Sequence, residues 1–185
     1  MGYRLNTAKT GGFVTQSVIY PKGAYILQMI RMMMWDPQTG DKQFKEMMRD
    51  FVKTHYNQNV STVDFQAIVE KHMTKEMDLD GSGRMTWFFG EWVYGTEVPT
   101  YTLDYHIDQS DGKIKLSGKI TQSDVSPNFK MRVPLYIQVD GRIVRLGSAA
   151  LFGNSSKEFN IILPKKPERA MICHYEDVLC NTDDR

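Results

Sequence analysis

Apolar residues recur along this chain in two rhythms, and the change falls near Pro99. Before it the period is helical, and after it the period is two. Pro21 suits the first turn of a helix, where its missing N–H leaves no bond unmade, and Ala24, Leu27, Ile30 and Met34 then fall along one face. Phe44, Met47, Met48, Phe51 and Val52 follow the i, i+3, i+4, i+7, i+8 spacing of a second helix, behind a candidate cap at Asp41. A third helix is predicted to begin at Ser61 or Thr62. Asp64, three residues after Ser61, forms a variant capping box there, and Phe65, Ile68 and Val69 supply the buried stripe. Met85, Phe88, Phe89, Trp92 and Val93 mark a fourth helix that Gly95 terminates.

Beyond Pro99 the residues alternate. Tyr101, Leu103, Tyr105 and Ile107 face one way and Thr102, Asp104 and His106 the other, as in a strand with one wet face. Asp111-Gly112 reads as a hairpin turn into Ile114, Leu116 and Ile120, and Asp140-Gly141 turns back the regular strand Met131, Val133, Leu135, Ile137, Val139. Ile143 to Leu146, Ala149 to Phe152, Phe159 to Leu163 and Met171 to His174 bring the count to about six or seven short strands, as a small antiparallel β-sandwich requires. The polar tail from Asn181 to Arg185 is expected to be loose. The predicted fold is therefore α+β in two domains, helical over residues 1–97 and a β-sandwich over 98–185.

Composition narrows the function more than the fold. The chain has 185 residues, of which 41% are apolar and 24% charged, an ordinary globular balance. With 23 Lys and Arg against 22 Asp and Glu, the formal charge of +1 provides no global field for nucleic acid or an anionic membrane. Gln28 and Arg31 interrupt the longest apolar run, which excludes a membrane-spanning helix of roughly 20 apolar residues. Met1-Gly2-Tyr3-Arg4-Leu5 has no apolar centre of a secretory signal, and the compartment is not indicated. Cys173 and Cys180 do not make a disulfide scaffold; one optional disulfide and two free thiols are the alternatives.

Metal chemistry has weak support in the residues themselves. No two of His55, His72, His106 and His174 have the i, i+4 spacing that brings imidazoles together on a helix, and Cys173-His174 with Cys180 is too sparse a ligand set. Asp78-Leu79-Asp80-Gly81-Ser82-Gly83 imitates the opening of a calcium loop, but the twelfth position holds Phe89 where a bidentate Glu is needed, so a helix-connecting turn is expected. Glycine-rich phosphate loops and a G-x-S-x-G elbow are absent from the sequence.

Tyr20 is the candidate catalytic residue. A phenol, with a reference pKa of about 10, keeps its proton at neutral pH and can donate a hydrogen bond to an oxyanion. From spacing alone, an aromatic staple at a helix entrance is the more ordinary role. The pattern Tyr20-x-Lys22-Gly23-Ala24, followed in phase by Leu27, Met29 and Arg31, resembles the gluzincin zinc aminopeptidases, the family of aminopeptidase N and the leukotriene hydrolase. Gly2-Tyr3-Arg4-Leu5, the helix from Phe44 to His55, Thr62-Val63-Asp64-Phe65 and the run from Trp87 to Gly95 with Pro99 are similar to further family segments, in the family's order up to about residue 107. The H-E-x-x-H zinc helix of the family is missing.

The resemblance implies the distal half of a thermolysin-like catalytic domain followed by a β-sandwich, taken from a parent that binds zinc and hydrolyses N-terminal peptide bonds. Tyr20 would stabilise the oxyanion, while zinc and a glutamate base would come from residues upstream. No zinc is expected in this chain, and the chain alone is expected to be inactive. The expected partners are a peptide substrate of the parent and a second copy held through truncated surface. Trp87, Phe88, Phe89 and Trp92 are read as packing. The alternatives from other classes are a non-catalytic scaffold of the same architecture and a free-standing calcium- or peptide-binding module.

Overall fold

The computed structural model describes residues 11–110 and 112–182, with 11–18 and 182 described by backbone alone. It is an α+β chain that divides into two compact units, Met1–Thr96 and Glu97–Arg185. The Gly2-Tyr3-Arg4-Leu5 segment and Asp111 lie outside the described residues.

The first unit is helical. Helix α1 spans Gly11–Met34 with Pro21 inside it, so the expectation that Pro21 opens a helix is corrected: the backbone is already helical ten positions earlier. Pro21 therefore interrupts a hydrogen-bond ladder, since it has no N–H for the carbonyl four residues back. Helix α2 spans Lys42–Thr54 behind Asp41, but Asp41 makes no side-chain cap hydrogen bond. Its carboxylate instead takes a two-point hydrogen bond from Arg31, Nε to Oδ1 at 2.9 Å and Nη2 to Oδ2 at 2.6 Å. A bidentate charged pair is stronger than a neutral cap, and it wins the carboxylate.

Helix α3, Thr62–His72, starts as its residues dictate. Ser61 Oγ accepts from the Asp64 amide at 3.3 Å while Asp64 Oδ2 accepts from the Ser61 amide at 2.8 Å, completing the capping box. Ile68 and Val69 are buried and Phe65 half-buried, its ring edge-on to Phe51 at 5.2 Å. The last helix is α4, Thr86–Phe88, which widens at once into a π-helix over Phe89–Tyr94. Trp87, Phe88, Phe89 and Trp92 are all buried, as packing requires, and Trp87 Nε1 donates to the Met77 carbonyl at 3.1 Å. Val52, expected on the buried stripe of α2, is exposed.

The second unit contains two sheets. One has the order β5-β2-β1-β7 and the other β4-β3-β6, with β1 Thr100–Ser110, β2 Lys113–Ser123, β3 Lys130–Val139, β4 Arg142–Phe152, β5 Ser155–Leu163, β6 Arg169–Ile172 and β7 Asn181–Thr182. Neighbours pair antiparallel, except that β7 pairs parallel with β1. Asp140 (φ 51°) and Gly141 (φ 70°) make the expected β3–β4 turn, both in the left-handed region that a two-residue hairpin demands.

Three expectations are corrected here. Ile143 to Leu146 and Ala149 to Phe152 belong to one strand, β4, because Gly147 and Ser148 keep their pairing across a register shift at Leu135/Tyr136. The tail is not loose at Asn181, whose amide donates to the Pro99 carbonyl at 2.9 Å. In β1 the alternation reaches the core only partly, for Tyr101 is buried but Tyr105 is 38% exposed.

Two buried polar chains tie this unit together. Tyr101 Oη donates to Gln122 Oε1 at 2.8 Å, and Gln122 Nε2 donates to the Gly153 carbonyl at 2.7 Å. Tyr136 Oη donates to Asp177 Oδ2 at 2.6 Å, with both residues about as buried as Phe129 in the core. Burial pushes the Asp177 carboxyl above the usual carboxylate range, while the Tyr136 hydrogen bond and Arg145 pull it back. An unfolded aspartate loses its proton near pH 4, so from there up to the raised pKa of the native carboxyl the native state holds more protons than the unfolded one, and over that window stability falls as pH rises. Asp177→Asn keeps an oxygen acceptor for Tyr136 and removes the titration. Its stability relative to the unsubstituted chain is expected to improve as the pH rises above about 4, and superimposable pH profiles in thermal melts would contradict this.

Candidate functional site

The described part of α1 has two dissimilar faces. Lys22, Ile26 and Met29 at i, i+4 and i+7 turn inward, with Met29 and Ile30 fully buried. Tyr20, Gly23, Ala24 and Leu27 occupy the opposite face and are exposed, Tyr20 at 74%. Ala24 and Leu27 were expected in the core beside Ile30 and Met34; the helix is turned so that only Ile30 and Met34 of that set are buried. With apolar residues on both sides of this helix, periodicity does not choose the inward face.

Polar anchors choose it. Lys22 Nζ donates to the Gly95 carbonyl at 3.0 Å and the Val93 carbonyl at 3.4 Å, joining α1 to the end of the π-helix. Partial burial lowers the pKa of this ammonium, and orphan carbonyls at a helix end are its natural acceptors. Farther along, Arg31 grips Asp41, and this guanidinium holds the Asp41 carboxyl below its usual range. The helix that carries Tyr20 is thus anchored at two points C-terminal to it, Lys22 and Arg31, and the phenol projects from an exposed strip with Ile19 (39% exposed) and Leu27 (36% exposed). The staple role is overturned, because the ring is not packed.

Gly95 ends the π-helix for a reason other than the expected one. Its φ is −81°, outside the left-handed region. Space is what requires glycine, since a Cβ there would lie 2.3 Å from the Glu91 carbonyl oxygen.

The remaining candidates are settled locally. In the Asp78–Gly83 turn, Asp80 Oδ1 accepts from the Ser82 hydroxyl at 2.6 Å and Asp78 Oδ2 from the Gly83 amide at 3.1 Å, so both carboxylates serve the turn itself. Among the described residues no three His, Cys, Asp or Glu side chains are grouped to hold a metal ion. His55 lies tilted against Phe51, and His72 Nε2 sits 2.7 Å from Asp50 Oδ2. His106 Nε2 is 3.3 Å from both Ser117 Oγ and Asp108 Oδ2. Both contacts fall on one nitrogen, whereas a nucleophilic triad needs one on each.

Local sequence patterns do not pair Lys22 with Gly95 or Tyr136 with Asp177. Lys22 and Gly95 are 73 positions apart, and Tyr136 and Asp177 are 41 apart. Only a composition signal exists for the first, a lysine on an otherwise apolar helix face.

No helix among the described residues is long and apolar enough to cross a membrane. No protein-family model matches the chain. No curated protein matches it either. Among solved structures, the crystal structure of Legionella pneumophila aminopeptidase A in complex with aspartic acid is similar over 90% of this chain, with 16% sequence identity and a TM-score of 0.58. The match takes in 18% of that chain, so this chain spans less than a fifth of its length. At this identity the likeness is one of fold alone.

Proposed function

We propose that this chain is the C-terminal portion of a zinc-dependent metallo-aminopeptidase of the gluzincin type, comprising the distal half of a thermolysin-like catalytic domain and a β-sandwich. Tyr20 is its oxyanion donor. The observation that carries the reading is the placement of that phenol, exposed on an apolar strip of a helix anchored by Lys22 and Arg31. A solvent-facing strip of Ile19, Tyr20, Gly23, Ala24 and Leu27 is suited to cover by further protein, and a fixed donor at its centre then meets charge as it develops on a substrate carbonyl oxygen. The proton stays on the phenol, and catalysis comes from a hydrogen bond that strengthens in the transition state.

In this reading the zinc, which supplies Lewis acidity when bound, and the general base belong to parts of the parent outside this chain. The peptide substrate would lie over the Tyr20 strip. Hydrolysis of an aminoacyl-anilide by the complete parent, with none by this chain alone, is the expected result. Zinc-dependent hydrolysis by the isolated chain would overturn the division of labour. A parent without activity, whose upstream frame carries substitutions at the H-E-x-x-H positions, would favour the scaffold reading instead.

A further inference from the structure

Strand β6 ends at Ile172 and belongs to the β4-β3-β6 sheet; strand β7 begins at Asn181 and belongs to the other. Residues 173–180 join them, with Cys173 immediately after β6 and Cys180 immediately before β7. Both are half-buried thiols, and the Cys180 thiol donates to the Cys173 sulfur at 2.8 Å. We infer that Cys173 and Cys180 form a reversible disulfide that staples the two sheets of the second unit and closes the loop covering Tyr136. This inference stands independently of the proposed function.

The loop has something to hold in place. Asp177 and Val178 are each 1% exposed, Asp177 accepts the Tyr136 hydroxyl, and Tyr175 packs edge-on to the Tyr136 ring at 5.4 Å. Its far end is the weak point, since among the described residues β7 has two residues and pairs only with β1. Short edge strands fray first when few contacts hold them. A bond at Cys180 ties the residue before β7 to the end of β6, which itself pairs with β3.

The bond needs an oxidant, and a small disulfide such as oxidised glutathione suffices. One cysteine, as thiolate, attacks a sulfur of glutathione disulfide and expels one glutathione thiolate. The second cysteine then attacks the mixed disulfide and expels the other, so two protein thiols are oxidised and one glutathione disulfide becomes two glutathione thiols. Partial exposure admits the small oxidant, and thiols in contact make the second displacement intramolecular.

The test equilibrates the native full chain in oxidised or reduced glutathione, then alkylates, digests and maps the cysteines by mass spectrometry, with amide hydrogen exchange in parallel. Oxidation is expected to remove both alkylation sites, to yield one Cys173–Cys180 linked peptide, and to slow exchange at Val178 and Asn181 by roughly tenfold or more, reversibly on reduction. Cys180→Ser should show no change in exchange between the two buffers. Two thiols still open to alkylation under oxidised glutathione, a stable glutathione adduct, a bond between chains, or an internal bond without slower exchange at Asn181 would each overturn the inference.

Discussion

Tyr20→Phe in the complete protein is expected to lower peptide-hydrolysis turnover by about 100- to 1,000-fold, the usual loss when one oxyanion donor is removed. The KM should move little, because the hydrogen bond is made to charge that exists only in the transition state. The fold should be indifferent to the change. The ring is 74% exposed, and substitutions at such surface positions usually fall within about 0.5 kcal/mol. Zinc content should also be unaltered, so a loss of turnover with unchanged metal and melting behaviour isolates the phenolic hydroxyl. A variant with near-normal turnover would remove Tyr20 from the chemistry.

Gly95→Ala is expected to destabilise the first unit by about 2–3 kcal/mol. The added methyl would lie 2.3 Å from the Glu91 oxygen and 3.0 Å from the Gly90 oxygen, both backbone atoms of the π-helix that cannot swing aside as a side chain could. Relief requires the end of that helix to move, and with it the carbonyl that accepts Lys22. The anchor of α1 is therefore disturbed as well. Denaturant unfolding followed by the fluorescence of the buried Trp87 and Trp92 reports on this directly; an unchanged midpoint would show that the helix end yields more easily than its packing implies.

Tyr20 and Gly95 illustrate what was legible in the residues and what was not. Both are singled out by their neighbours in sequence, and the structure puts Tyr20 on a free surface and Gly95 at a helix end. Their physical roles differ from the local expectation. Tyr20 lies within a helix and not before it, and Gly95 is required by crowding and not by a left-handed backbone. Local rules describe what a residue tolerates, whereas the nearness of the Glu91 oxygen follows from the wider turn of the π-helix.

The same division runs through the chain. Sequence by itself determined the switch from helices to antiparallel strands near Pro99, the start of α3 at the Ser61–Asp64 box and the Asp140-Gly141 turn. Each depends on bonds or dihedral angles spanning a few residues, so the information sits where the structure forms. Tertiary structure alone decided that Asp41 binds Arg31 instead of capping α2, and that Lys22 reaches the end of the π-helix. It also brought Tyr136 to Asp177 and the Cys180 thiol to Cys173 across the junction of two sheets. Where several partners satisfy the same charge or hydroxyl, local chemistry leaves them nearly equal, and burial together with the path of the chain selects among them.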